Sequence, residues 1–272
     1  MSTPVASTLT EDLLRREQWL TGAGLLCLTL LSWLFLVQGA GTGMDAGAMS
    51  TWQFPPPILE TTAMPWPAPW WLIMLVMWWV MMVAMMIPSA APTILLYARV
   101  YRHSQKQGQI KPGLVPTASF LLGYLLAWLA FSVVATVLQW LLEQLGLVHG
   151  MMMWSTNHLL SAGFLVGAGL YQFTNLKDSC LSHCRSPASW ISSNWRPGHA
   201  GALIMGLRHG AYCLGCCIPL MLLLFVGGTM NLVWIAGLAV LVLLEKLLSP
   251  GRWLARASGV VLTGAGLYLL LP

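Results

Sequence analysis

The chain has 272 residues, 57% of them hydrophobic and 8% charged, against roughly a quarter charged in soluble domains, which excludes an ordinary water-soluble protein and points to a membrane protein. Its formal charge of +5 marks cytoplasmic loops in such a chain, so no nucleic-acid partner is expected. Six cysteines are too few and too unevenly placed for a secreted disulfide framework.

Residues 1–18 are polar and unlike a secretory signal, so they read as a cytoplasmic lead. The apolar run from about Trp19 to Val37 reads as a retained transmembrane helix, with Cys27 as a small buried hydrophobe within it. Residues 39–69 are rich in Gly and Pro, lack Lys and Arg, and form a loop on the periplasmic side. The second span, about Trp70 to Tyr97, carries Pro88 and Pro92 in its inner half. Arg99, Arg102, Lys106 and Lys111 make a basic loop, and a third span follows from Pro116 to about Trp140. The loop to Thr156 has no Lys or Arg. The fourth span, Asn157 to Phe173, presents Gly163, Gly167 and Gly169 for close helix approach. Residues 175–199 read as a polar loop, and the remaining spans are about Ala200–Val226, Asn231–Leu247 and 252–271. Gly227 to Met230 is so short a link that the fifth and sixth spans are expected to pack as an antiparallel hairpin.

The expected architecture is therefore an all-α polytopic membrane helix bundle of about seven transmembrane helices, folded as a single integral membrane domain. With the N-terminus cytoplasmic and the C-terminus periplasmic, every Lys and Arg except Arg208 lies in or beside a cytoplasmic segment. Localisation in the bacterial inner membrane is expected.

Chemistry concentrates in the fifth span. At about 100° per residue, Met205, His209, Cys213 and Cys216 share one helical face, with Cys217 beside them. Ionisable and soft-ligand side chains are costly in hydrocarbon and mark functional sites. Thiolate and imidazole suit zinc and copper(I), and thioether favours copper(I). Pro219 has no N–H, which leaves the Gly215 carbonyl free for a ligand or a neighbour. Met81 and Met85 of the second span belong to a methionine stripe at about the same depth, which serves either as ligands or as core packing.

The loop string CLSHC adds Cys180, His183 and Cys184. With Cys213 roughly 20 Å along a regular helix, the two cysteine groups are expected to be separate stations. Met44, Met49 and Asp45, with Met151 to Met153, His149 and His158, are outward candidates for capturing a soft cation or anchoring at the surface. Arg208 and Glu245 are the deepest charges, expected either to form an intramembrane ion pair or to reach the interface separately.

The strings MWWVMMVAMMIPSAAP, GLYQFTNLKDSCLSHCRSP, GLRHGAYCLGCCIPLM and LVLLEKLL, in this order, resemble a bacterial family of predicted metal-binding integral membrane proteins of otherwise unknown function. The resemblance covers about Trp70 to Leu248. It implies a multi-span inner-membrane protein with a metal site at His209, Cys213, Cys216, Cys217, Cys180 and Cys184.

The leading expectation is a soft-metal protein, with copper(I) as the ion and zinc or haem left open. Its expected role is metal transfer, homeostasis or delivery, with the lipid bilayer, the metal ion and a membrane enzyme or metal chaperone as partners. Two alternatives stand beside it. Cys213 and Cys216 form a Cys-x-x-Cys that suits a membrane thiol oxidoreductase, and a structural or assembly subunit would need no ligand.

Overall fold

The computed structural model describes residues 4–57, 65–110, 113–248 and 251–271, with side chains from residue 18 onward. Residues 58–64 of the expected first loop and Lys111 of the basic loop lie outside the described residues. Among the described residues there are ten helices and no strand: α1 (Pro4–Val37), α2 (Ala68–Lys106), α3 (Thr117–Gln144), α4 (His158–Tyr171), α5 (Asn175–Arg185), α6 (Pro187–Ser193), α7 (Gly198–Leu222), α8 (Leu224–Gly227), α9 (Leu232–Leu247) and α10 (Gly251–Tyr268).

A helix occupies each expected span. Four segments, Gln18–Val37, Ala68–Lys106, Thr117–Gln144 and Gly198–Gly227, are long and apolar enough to cross a membrane. Helices α4, α9 and α10 have 14, 16 and 18 residues, about 21, 24 and 27 Å at the helical rise, against a hydrocarbon core about 30 Å thick. Length and composition thus support four spans, fewer than expected.

The polar lead and the first span form one helix, α1, which packs on α2 through a stripe of Leu25, Ser32 and Leu36. Cys27 lies on its exposed side, not in the core. Helix α2 continues through Pro88 and Pro92 to Lys106, about two turns beyond the Arg99 at which the basic loop was expected to begin.

The closest helix approach is between α3 and α7. A Cβ on Gly206 would collide with the Phe120 carbonyl, one on Gly123 with the Leu203 carbonyl, and one on Gly210 would lie 2.5 Å from the Ala127 side chain. Backbone cannot retreat as a flexible side chain can, so Gly206→Val is expected to cost about 1–3 kcal/mol or more and to lower the thermal midpoint in detergent. Gly163, which faces open space, provides the control: Gly163→Val should stay within about 0.5 kcal/mol of wild type.

The fourth span's glycines divide. Gly169 lies against Gly259 and Thr263 of α10, whereas Gly163 and Gly167 touch nothing. Helix α9 packs mainly on α2 and α10 rather than on α7. The expected tight hairpin is interrupted because α8 and a turn at Gly228, with φ +100°, intervene.

The largest departure is at residues 175–199. Instead of a loop, α5 packs along the middle of α7 and the chain through α6 continues opposite to the direction of α7. Lys177, His183, Trp190 and Asn194 meet Cys216, Tyr212, His209 and Arg208 in that order. Thr174 caps α5 by accepting from the Lys177 N–H, and Pro187 starts α6 at a position where a missing N–H costs nothing.

Candidate metal centre

Helix α7 buries one face. Met205, His209, Cys213, Cys216 and Cys217 are all at most 2% exposed. Pro219 cannot donate to the Gly215 carbonyl, and the Tyr171 hydroxyl at the end of α4 donates to it instead, at 2.5 Å. The carbonyl therefore bonds a neighbour and brings α4 level with the cysteines.

From that point α5 begins, and its stripe Lys177, Cys180, Leu181, Cys184 faces α7 at helical spacing. Lys177 is buried; its ammonium donates to Glu245 Oε2 of α9 at 2.6 Å and to the Cys216 carbonyl at 2.9 Å. Gln172 and Ser258 donate to the other Glu245 oxygen. This network clamps α5 to α7 and α9. Cys180 Sγ then lies 2.6 Å from where a Cβ on residue 215 would be, so a larger residue there would have to displace the Cys180 thiol.

One turn further on, the Cys184 thiol comes near those of Cys213 and Cys216, and its interaction with Cys213 holds it above the ordinary thiol range. Burial likewise pushes Cys180 up. Cys216 Sγ donates to the Cys213 carbonyl at 3.1 Å and lies 3.3 Å from Cys217 Sγ.

Cys213 is the centre of this group. Lys246 of α9, 6% exposed, donates to Cys213 Sγ at 2.9 Å and to Ser89 Oγ at 3.2 Å. The Tyr124 hydroxyl of α3 is 3.1 Å from the same sulfur and 3.4 Å from the Met86 carbonyl. A cationic side chain thus already sits on the sulfur. His209, one turn below, is packed against Phe120, Tyr124 and Trp190, and its Nδ1 has no hydrogen-bond partner among the described residues.

Three buried thiols with the half-buried Cys184 beside them, and an imidazole with an orphaned nitrogen one turn away, suit a soft ion such as copper(I). The thiols bond one another instead of converging. Among the described residues no three His, Cys, Asp or Glu groups are disposed around a common ion position.

The structure corrects several expectations. The two cysteine groups are not separate stations, because the α5 fold-back carries Cys184 to the depth of Cys213. The ion pair of Arg208 with Glu245 does not form: Glu245 pairs with Lys177, while Arg208 is exposed and reaches Asn194 at 3.5 Å. His183 stacks on Tyr212 with ring centroids 4.2 Å apart and donates from Nδ1 to the Ser179 carbonyl, so it belongs to the helix interface. Met81 and Met85 are buried, but α2 meets the surroundings of Cys213 through the Met86 carbonyl, bonded by Tyr124, and Ser89 Oγ, bonded by Lys246.

Of the outward candidates, Met49 and Met153 are core residues, and Asp45 accepts from the Gly47 N–H. His149 Nδ1 accepts two backbone N–H groups, and burial lowers its pKa. Lys177, Lys246, Tyr124 and Tyr171 were not singled out from sequence. For the two lysines a signal existed: each stands on an apolar or cysteine-bearing helical face, where the count of basic residues treats it only as a loop marker.

Residues 75–269, from α2 through α10, match the model of a protein family described as PpoB2, copper chaperone. No curated protein and no solved structure matches the chain.

Proposed function

The chain belongs to the PpoB2 copper chaperone family, and on that premise we propose that it is a multi-pass inner-membrane protein that carries copper(I) on the thiols of Cys184, Cys213, Cys216 and Cys217. The observation that carries the reading is the fold-back of α5, which brings the half-buried Cys184 thiol beside the three buried thiols of α7. Packing alone gives no reason to gather four thiols from two helices at one depth.

In this reading all seven apolar helices cross the bilayer with the N-terminus cytoplasmic, as the distribution of Lys and Arg favours. The copper ion is cargo, handed to or from a membrane enzyme or a second chaperone. Loading requires Cys216 Sγ to turn away from the Cys213 carbonyl, and the ion replaces the Lys246 ammonium as the positive charge against Cys213. His209 Nδ1 stands one turn away as a further donor.

The test is copper analysis of detergent-purified protein loaded with copper(I), in wild type and in the Cys213→Ser, Cys216→Ser, Cys217→Ser triple variant. The variant is expected to lose the tightly held ion. Equal copper in both would overturn the reading.

A further inference from the structure

Helix α4 stops partway along α7. Its last residue, Tyr171, bonds the Gly215 carbonyl, and the chain continues toward the start of α7 through α5 and α6, where His183 stacks on Tyr212 and Trp190 packs on His209. Tyr212 and His209 are 14 and 11 residues into the apolar segment Gly198–Gly227, about 21 and 17 Å along the helix. The outward side of α5 and α6 at this depth carries Ser179, Ser182, Ser186, Ser189, Ser192 and Ser193, all exposed, while Leu181, Trp190 and Ile191 are turned inward. Arg208, also exposed, reaches Asn194 beside them.

On the flank formed by α3 the same level is apolar. Gly206 and Gly210 of α7 abut Phe120, Tyr124 and Ala127, and there α3 exposes Leu122 and Leu126, at 51% and 39%. One flank at this depth thus suits hydrocarbon and the other suits water.

Lipid is a poor cover for the serine face. A guanidinium keeps its charge at any depth, so Arg208 cannot be neutralised as a buried carboxyl can. One serine bonded to its own helix is tolerated in hydrocarbon, but six beside an arginine and an asparagine make a continuous polar surface. The chain is also non-helical at residues 172–174 and 194–197, and such breaks at membrane depth persist only where protein or a water-filled cavity meets the backbone.

This face leads to the thiols. Ser182, His183, Ser186, Ser189 and Asn194 line an open cavity of about 240 Å³. The Ser182 and Ser189 hydroxyls donate to the Ser179 and Ser186 carbonyls, leaving their lone pairs for water. The residues that follow His183 and Tyr212 are Cys184 and Cys213. Cys184 is half-buried, whereas the thiols of α7 are buried.

We propose that α4, α5 and α6 form one discontinuous crossing whose inner half lines a water-filled vestibule, open to the cytoplasm, through which copper(I) reaches Cys184 and then the thiols of α7. The need for water at this depth rests on α7 crossing the bilayer, and the identity of the ion rests on the copper reading above.

The experiment places single cysteines in the full chain carrying Cys27→Ser and exposes inside-out membrane vesicles to a charged, membrane-impermeant maleimide, with the labelled residue located by peptide mass spectrometry. Ser182→Cys and Ser189→Cys should react at least about tenfold faster than Leu126→Cys, because a thiol reacts as the thiolate and apolar surroundings suppress its ionisation. A Leu126→Cys that reacts as fast puts this level in open water, and serine positions that stay unlabelled put that face under lipid or protein. Either result overturns the proposal and leaves the copper reading standing.

Passage of the ion is read separately. The double variant Ser182→Leu, Ser189→Leu should slow copper(I) uptake from a coloured chelator severalfold and leave the amount bound at equilibrium unchanged. An unchanged rate overturns the vestibule as the entry route. A chain that is labelled as expected but takes up no copper overturns the copper reading and supports the water-filled crossing.

Discussion

Cys184→Ser is expected to weaken copper(I) binding by more than the roughly 10–100-fold that losing a supporting contact costs a metal site, although Cys184 is 29 positions from Cys213 and on another helix. Its thiol comes near those of Cys213 and Cys216, so removing it takes away a donor of the cluster itself. Cys180→Ser should have a smaller effect, because Cys180 Sγ packs on the Gly215 backbone rather than among the other thiols. Competition against a copper(I) chelator that reports by colour measures both. Wild-type affinity in Cys184→Ser would return the molecule to two independent stations.

Breaking the Lys177–Glu245 pair should have the largest effect on stability. Both side chains are at most 2% exposed at a separation of 2.6 Å, and removing one partner of such a pair strands a buried charge at a cost of about 3–5 kcal/mol. Glu245→Ala leaves the Lys177 ammonium with only the Cys216 carbonyl, and Lys177→Met leaves Glu245 with the neutral donors Gln172 and Ser258. Denaturation in detergent micelles should show both losses. The double variant Lys177→Met, Glu245→Leu should recover most of the stability, since replacing both charges by apolar groups is often neutral.

The two predictions are coupled. Lys177 and Cys184 lie on the same face of α5, two turns apart, so a variant that releases Lys177 also frees the helix that presents Cys184. The single variants should lose copper affinity in step with stability, and the double variant should regain stability with less of the affinity. A Lys177→Met chain as stable as wild type would show that α5 is held by its apolar contacts alone.

The buried face of α7 was legible because it depends on one helix: residues 205, 209, 213 and 216 fall together through the helical period, whatever the neighbours do. The freed Gly215 carbonyl was legible for the same reason, from Pro219 alone. The α5 fold-back was not. An 11-residue helix containing Lys177, Asp178, His183 and Arg185 reads as polar loop by composition, and what buries it is a set of partners 39 to 68 positions away. Glu245 shows the same limit: sequence left it either paired with Arg208 or reaching the interface alone, and Lys177 counted only as a loop residue until packing brought it to Glu245.

Sequence alone thus determined that this chain is helical, with runs long and apolar enough to cross a membrane and soft ligands on one inward face, because hydrophobic runs and helical periodicity are local properties. The tertiary structure decided that α5 returns to the depth of Cys213 and that Lys177 satisfies Glu245. Each of these depends on which charges and thiols from distant segments share one dry volume, and that is set by how the helices pack.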